Sequence, residues 1–256
     1  MSFEYVTPEE ALPRRGLRMV VVGKVPSPWG ESAKGIFHLK RIDFAAVRLV
    51  YDSEVLKSWA GQLSGPVALY DDEPPRSGWA EILMLAERLA PEPALLPADP
   101  HERAAALLLA EDFCGQHGLG WNRRLQIVHA GRTESGGFSS RVAEYLGGKY
   151  GYDPAKSAQN QARVIELLAK FAGVLRARRA AGESYYLGRE LSAVDVYSAA
   201  FMAFFKPLPP QLCDMHPGLR SAFEWLDPPT AAALDPILLE HRDMVYARHL
   251  QLPLSL

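Results

Sequence analysis

The sequence predicts a small α/β domain followed by an all-helical one, and three observations carry that reading. Between Arg18 and Tyr51 an apolar β-rich run, a helical stretch and a second β-rich run succeed one another, the spacing of a right-handed parallel βαβ unit. A further strand and helix follow before Pro91. Beyond Asp99 apolar residues recur only with helical period, with no run that reads as a strand.

Each element has its own local warrant. Residues 1–16 are polar and Pro-rich, with a helical turn at Pro8-Glu9-Glu10, and are expected to lie on the surface as an extension. Met19 to Val22 form the first strand. Gly23, Pro26 and Pro28 mark the turn after it, and a helix opens at Trp29-Gly30-Glu31-Ser32 and runs to Arg41. A strand feeding a helix in this way aims unpaired N–H groups and the positive end of the helix dipole at one spot, which suits an anion. Ala45 to Tyr51 form the second strand. Ser53 caps the short helix SEVLKSWAGQL, and Pro66 to Tyr70 form the third strand. Asp71 to Arg76 leave little room for a long fourth strand. Ser77 then stands as the N-cap of GWAEILMLAERLAP, and PEPALLPADP links the two parts.

In the second part, Pro100 to His117 read as one helix with Leu107, Ala110 and Cys114 on one face. Residues 129–160 read as a long Gly/Ser-rich connection, either covering a pocket or mobile without catalytic use. Val164, Leu167, Leu168, Phe171, Val174 and Leu175 define an amphipathic helix. Ser192 with Asp195 three residues on is a capping box, and Leu191 with Val196 form its hydrophobic staple. Asp235-Pro236 open a last helix that reaches about His249. The domains are thus 1–16 (extension), 17–90 (α/β), 91–100 (linker) and 101–256 (all-helical).

Composition narrows the function. In 256 residues, 28 basic side chains nearly balance 30 acidic ones, so neither nucleic acid nor an anionic membrane is the expected partner. No run approaches the ~18 apolar residues of a membrane span, and MSFEYVTPEEALPRR lacks the apolar region of a secretory leader. Cys114 and Cys213 are far apart and belong to no CxxC, so neither a disulfide framework nor a metal site is signalled. A reducing, cytoplasmic setting is expected.

Three short segments carry a resemblance. They are Ser27-Pro28-Trp29-Gly30 followed after a helix by Arg41-Ile42-Asp43-Phe44, Gly65-Pro66-Val67-Ala68-Leu69 followed by Arg76-Ser77, and Tyr186-Leu187-Gly188-Arg189-Glu190-Leu191-Ser192-Ala193-Val194-Asp195. In this order they resemble the cytosolic glutathione transferases over nearly the whole chain. The resemblance implies a thioredoxin-like N-terminal domain with an all-α C-terminal domain, and a homodimer that takes glutathione as co-substrate. It implies a cis-proline at Pro66 that aims the Gly65 backbone at the cysteinyl part of glutathione, and Ser77 as the holder of the γ-glutamyl carboxylate. The residue before that serine is Arg76 where the family usually has an acid. It either pairs with the glycyl carboxylate or a substrate anion, or is solvated.

The mechanism implied is thiolate formation. A free thiol has a pKa of about 8.5, and each unit of lowering needs ~1.4 kcal/mol of preference for the anion. The helix N-terminus supplies part, and a donated hydroxyl supplies more. Aligning the Ser-Pro turn places Gly30 at the catalytic position, where relatives carry a hydroxyl or thiol. Ser32 is then the first choice of hydroxyl, Ser27 either shares that role or is the N-cap, and the Gly30 backbone alone is the third option. The turn holds no cysteine or tyrosine, which argues against the thiol-transferase branches. Glu31 would oppose a thiolate and is expected to point outward. Trp29, Phe113, His117 and Trp121 are the expected walls of a pocket for an electrophilic, apolar or aromatic substrate, and Arg123-Arg124 a solvated or dimer-contacting pair. The chemistry is conjugation or related lyase, isomerase or dehalogenase work. The alternative is a fold kept for binding or protein interaction without turnover.

Overall fold

A computed structural model describes residues 5–256. Its sheet has four strands, β1 (Tyr5–Val6), β2 (Leu17–Val21), β3 (Ala45–Arg48) and β4 (Val67–Tyr70), in the order β1-β3-β2-β4. β2 is parallel to β3, with Val20 opposite Val47, and antiparallel to β4, with Val20 opposite Val67. Central position explains its composition: all five residues LRMVV are buried, as a strand covered on both faces must be. Even Arg18 is buried, with its guanidinium 5.2 Å from the Trp59 ring centroid and donating to the Asp71 carbonyl.

The expected surface extension is corrected. Tyr5–Val6 pairs in parallel with Ala46 and Val47 as an edge strand, and α1 (Pro8–Ala11) drives Ala11 into the core. Residues 1–4 of that stretch lie outside the described residues. A two-residue strand carries no periodicity by which it could be read beforehand.

Around the sheet lie α2 (Pro28–Leu39), α3 (Glu54–Ala60) and α4 (Trp79–Leu89). The helical part comprises α5 (Pro100–Cys114), α6 (Leu119–Arg132), α7 (Ser140–Tyr150), α8 (Ser157–Ala180), α9 (Ala193–Phe201), α10 (Pro217–Glu224), α11 (Pro228–Ala233) and α12 (Pro236–His249). Among the described residues the only β pairing beyond Arg76 is one isolated bridge, Tyr185 to Gly188. None of these helices is long and apolar enough to cross a membrane. The long connection expected over 129–160 is corrected: α6 continues to Arg132 and α7 fills much of the remainder. The linker, too, is packed, with Leu95 and Leu96 buried and the Leu95 carbonyl accepting from the Ala193 N–H at 2.8 Å.

One apolar core runs through both parts. Met19 and Val21 on one face of β2 join Ile36, Phe37 and Ile82, and continue into Phe113, Phe171 and Phe201 of the helical part. Val20, on the other face, joins Val47, Leu56 and Val67 in a smaller cluster under α3. The N-terminus of α9 is tied down by the predicted box. Asp195, with no exposure, accepts from the Ser192 N–H at 2.8 Å, the Ser192 hydroxyl at 2.7 Å and the Tyr186 N–H at 3.0 Å. His241 Nε2 of α12 lies 3.0 Å from its other side. α2 packs along α9, which sets the mouth of β2 against the helical domain.

Candidate functional site

The site is built on the end of β2. Val21 leads into the turn, and Ser27 is the N-cap of α2 with Pro28 at the first helical position. The Ser27 carbonyl accepts the Glu31 N–H at 2.8 Å. The N–H groups of Trp29 and Gly30 then have no preceding helical carbonyl to reach. The Ser27 hydroxyl makes no capping bond and has no hydrogen-bond partner among the described residues. Ser32, by contrast, is buried and its hydroxyl donates to the Trp29 carbonyl at 3.1 Å. A serine bonded back onto its own helix has spent its donor. Gly30 is buried, yet an added Cβ would meet Ser27 Cβ at 3.8 Å and Val21 Cγ1 at 3.9 Å, ordinary contact distances.

Glu31 does not point out to solvent. It is buried and ion-paired to Lys34 at 2.6 Å, while Lys34 Nζ donates to the Ser255 carbonyl at 2.7 Å. The chain's last residues lie over this face of α2, which converts an apparent surface into an interior. Burial raises the Glu31 pKa, and Lys34 works against that rise.

Opposite the turn, the Gly65–Pro66 peptide is cis. A Cβ on Gly65 would sit 3.2 Å from the Val20 carbonyl and 3.4 Å from Val21 Cα, so this backbone lies tight against the strand end. Ser32 and Pro66, with Trp29, Ala33, Ile36, Trp79, Ile82 and Tyr197, enclose a hollow of about 10 Å³. That is roughly the least space that admits one water. Trp79 and Tyr197 form one wall of it, their rings meeting edge-on at 5.6 Å.

At the start of α4 the N-cap is Gly78, one residue beyond the predicted Ser77. Ser77 is exposed and its side chain caps nothing. Glu81 does the capping, with one carboxylate oxygen accepting from the Ser77 N–H at 3.1 Å and the Gly78 N–H at 3.0 Å. The sequence contained that signal, since a glutamate three residues past a helix start is the acidic half of a capping box. Arg76 is half-buried and already paired: its Nη2 donates to Glu73 at 2.6 Å, and Arg88 holds the same carboxylate. Donation from both arginines keeps the Glu73 carboxyl below its usual range.

The expected pocket walls separate. Phe113 is wholly buried and stacked on Phe171 at 3.7 Å, so it is core. His117 is exposed just past the end of α5, where its carbonyl accepts from Arg163. Trp121 meets Tyr150 edge-on at 5.2 Å. Trp29 wedges between the two parts, its indole N–H donating to the Cys114 carbonyl at 2.8 Å and its ring edge-on to Phe201 at 4.8 Å. Arg123 and Arg124 are not a solvated pair. Arg123 is fully buried and donates to Gln126 and to the carbonyls of Phe204, Phe223 and Trp225. Arg124 lies over Trp29 and Tyr150, with its guanidinium carbon 4.3 and 4.1 Å from the ring centroids.

No protein-family model and no curated protein sequence matches the chain. Solved structures do match in fold. A glutathione S-transferase from Methylobacterium radiotolerans, in complex with glutathione sulfonate, is 20% identical, with 91% of each chain covered and a TM-score of 0.61. A glutathione transferase family member from Pseudomonas fluorescens with two glutathione bound is 14% identical, with 94% of each chain covered and a TM-score of 0.62. Glutathione transferase Omega 3C from Trametes versicolor is 16% identical over 94% of this chain and 89% of its own, with a TM-score of 0.59. The chain has the glutathione-transferase fold. In that fold the sheet with α2 to α4 is the thioredoxin-like part, and α5 to α12 are the helical part.

Within the glutathione-transferase fold, the structure brings Ser27, Gly30 and Gly65 to the end of β2, while Phe113 is core and His117 lies exposed past the end of α5. Glu81, Trp79 and Tyr197 are not singled out by the sequence, and Arg124 is expected there only as half of a solvated or dimer-contacting pair. The last three carry no motif, because their proximity arises from the meeting of α4, α6 and α9.

Proposed function

We propose that this chain is a glutathione-transferase-like enzyme that activates the glutathione thiol as a thiolate for attack on an electrophilic carbon. The observation that carries it is the open Ser27 hydroxyl at the N-cap of α2, next to the uncommitted N–H groups of Trp29 and Gly30. Together these donate to a developing sulfur anion, and a charge-assisted hydroxyl bond is the strongest of the set. Ser32 is assigned a structural role, because its donor is already used. The Gly65 backbone beside cis-Pro66 is the proposed partner for the cysteinyl amide, and the N–H groups of Ser77 and Gly78 for the γ-glutamyl carboxylate. For that last contact Glu81 must swing off, since it holds both donors. The glutathione-bound neighbours in fold are consistent with this reading, and a homodimer is the proposed assembly.

A second reading has its own support. Glu81 on the α4 N–H groups and a hollow of about 10 Å³ at Pro66 are what a fold retained for binding or protein interaction would present. The deciding experiment is titration of glutathione at neutral pH with the ultraviolet absorbance of the thiolate recorded. We expect a saturable thiolate signal that Ser27→Ala lowers about tenfold, the effect of ~1.4 kcal/mol, and that Ser32→Ala leaves in place. No binding at millimolar glutathione would establish the second reading.

A further inference from the structure

The guanidinium of Arg124 has no carboxylate partner and makes no hydrogen bond to any described residue. Aromatic faces hold it in place: Tyr150 at 4.1 Å, Trp29 at 4.3 Å and Phe204 at 5.6 Å from its central carbon. Its five N–H donors, set among these rings, have no partner among the described residues. The buried Arg123 and Arg242 differ. Arg123 satisfies its donors on three carbonyls and Gln126, and Arg242 donates to Asp243 and the Lys206 carbonyl.

The groups around Arg124 are polar and equally uncommitted. The hydroxyls of Tyr51, Tyr145 and Tyr150 make no hydrogen bonds to described residues. Tyr51 and Tyr145, both exposed, meet edge-on at 6.0 Å, and Tyr51 and Tyr150 couple electrostatically with Arg124. Lys149 adds a second cation, 5.5 Å from the Tyr51 ring and 5.6 Å from that of Tyr150. Burial, with the charges of Tyr150 and Asp52, raises the Tyr145 pKa, so one carboxylate also stands near the cluster. Two cations, three free phenols and several aromatic faces thus collect where the loop after β3, α6 and α7 approach Trp29 of α2.

We propose that this cluster recognises an anionic aromatic ligand, with its carboxylate received by the Arg124 guanidinium and its ring laid among Tyr51, Tyr145 and Tyr150. A planar fork of donors matches a carboxylate in bidentate geometry. Aromatic walls match a planar ring. Trp29, which the Arg124 guanidinium faces, lies two residues along the chain from Ser27, so as the acceptor side of a thiolate enzyme the site rests on the function proposed above. It narrows that function from any apolar electrophile to one carrying a negative charge. As an anion-binding site it does not depend on glutathione.

The test is calorimetric titration of 1-naphthoate and of its neutral isostere 1-naphthamide into the full chain without glutathione. We expect the acid to bind at least tenfold more tightly than the amide. Arg124→Gln should abolish that preference while leaving amide affinity within twofold, and Arg124→Lys, which keeps the charge but loses the fork, should retain part of it. Equal affinities for acid and amide in the wild type would overturn the proposal without recourse to any variant. A preference for the acid that survives Arg124→Gln would overturn it as well. If 1-naphthoate binds as expected while glutathione does not bind at all, the enzyme reading falls and the anion site stands.

Discussion

Ser27 and Ser32 are five residues apart on one helix start and differ in what their hydroxyls already hold. The sequence offered both, and helical position alone favoured Ser32. The decisive term was invisible there: whether a buried serine donates to its own helix depends on whether anything better is in reach. The same applies to the carboxylates. Glu81 occupies N–H groups that a ligand carboxylate needs, so Glu81→Gln is expected to tighten glutathione binding several-fold while lowering stability by ~0.5–1 kcal/mol through the weakened cap, read by calorimetry and by urea denaturation. Unchanged affinity would show that the carboxylate of the ligand binds elsewhere. The cysteines give a second check at this scale. Burial pushes the Cys213 thiol up to about 11 and Cys114 well above its ordinary value. A raised thiol pKa means thiolate is present only as pH climbs toward that value, so neither should react with a disulfide reagent at neutral pH in the native state, and both should react in urea.

Among the elements, legibility followed the size of the buried side chains. The stripe of α8 and the Ser192–Asp195 box of α9 were plain in sequence because large apolar residues and a capping pair mark them. α7 was not, because its buried positions are Ala143 and Gly147, which leave no apolar stripe to read. α4 starts one residue later than its serine suggests: serine outranks glycine as an N-cap by propensity, and the Glu81 side chain reverses that preference. Asp195 shows what a buried cap contributes. Asp195→Ala would strand the Tyr186 and Ser192 N–H groups and His241 in the core, and should destabilise by about 3–5 kcal/mol in chemical denaturation, far beyond the ~1 kcal/mol of an exposed cap. A cost near 1 kcal/mol would mean the box is not the anchor of the helical domain.

At the scale of the whole molecule, the parts are joined by packing that no segment of sequence displays. Trp29 reaches from α2 to the Cys114 carbonyl, and a Cβ on Gly120 would fall 2.2 Å from Phe201 and 2.8 Å from Trp29. Gly120→Ala should therefore cost ~1–3 kcal/mol by overpacking. The C-terminal residues close the other side of α2 through the Lys34–Ser255 bond, with the Glu31–Lys34 pair beneath. Burial raises the Glu31 pKa and Lys34 lowers it, so Lys34→Met leaves the raising cause unopposed. A carboxyl whose folded pKa exceeds its unfolded value binds more protons when folded, so stability is lost as pH rises from the unfolded value through the folded one. The variant should thus lose more stability relative to wild type at about pH 8 than at about pH 5 in paired denaturation curves, and equal losses would place Glu31 in contact with water.

All of this packing serves one chemical claim, that the start of α2 stabilises a sulfur anion. The pH titration of thiolate absorbance for glutathione bound at saturation tests it most directly. The expected midpoint lies at least one unit below the free thiol value of about 8.5, and Ser27→Ala abolishes that shift. A bound thiol that titrates with the free value, in a protein that still binds glutathione, would contradict it.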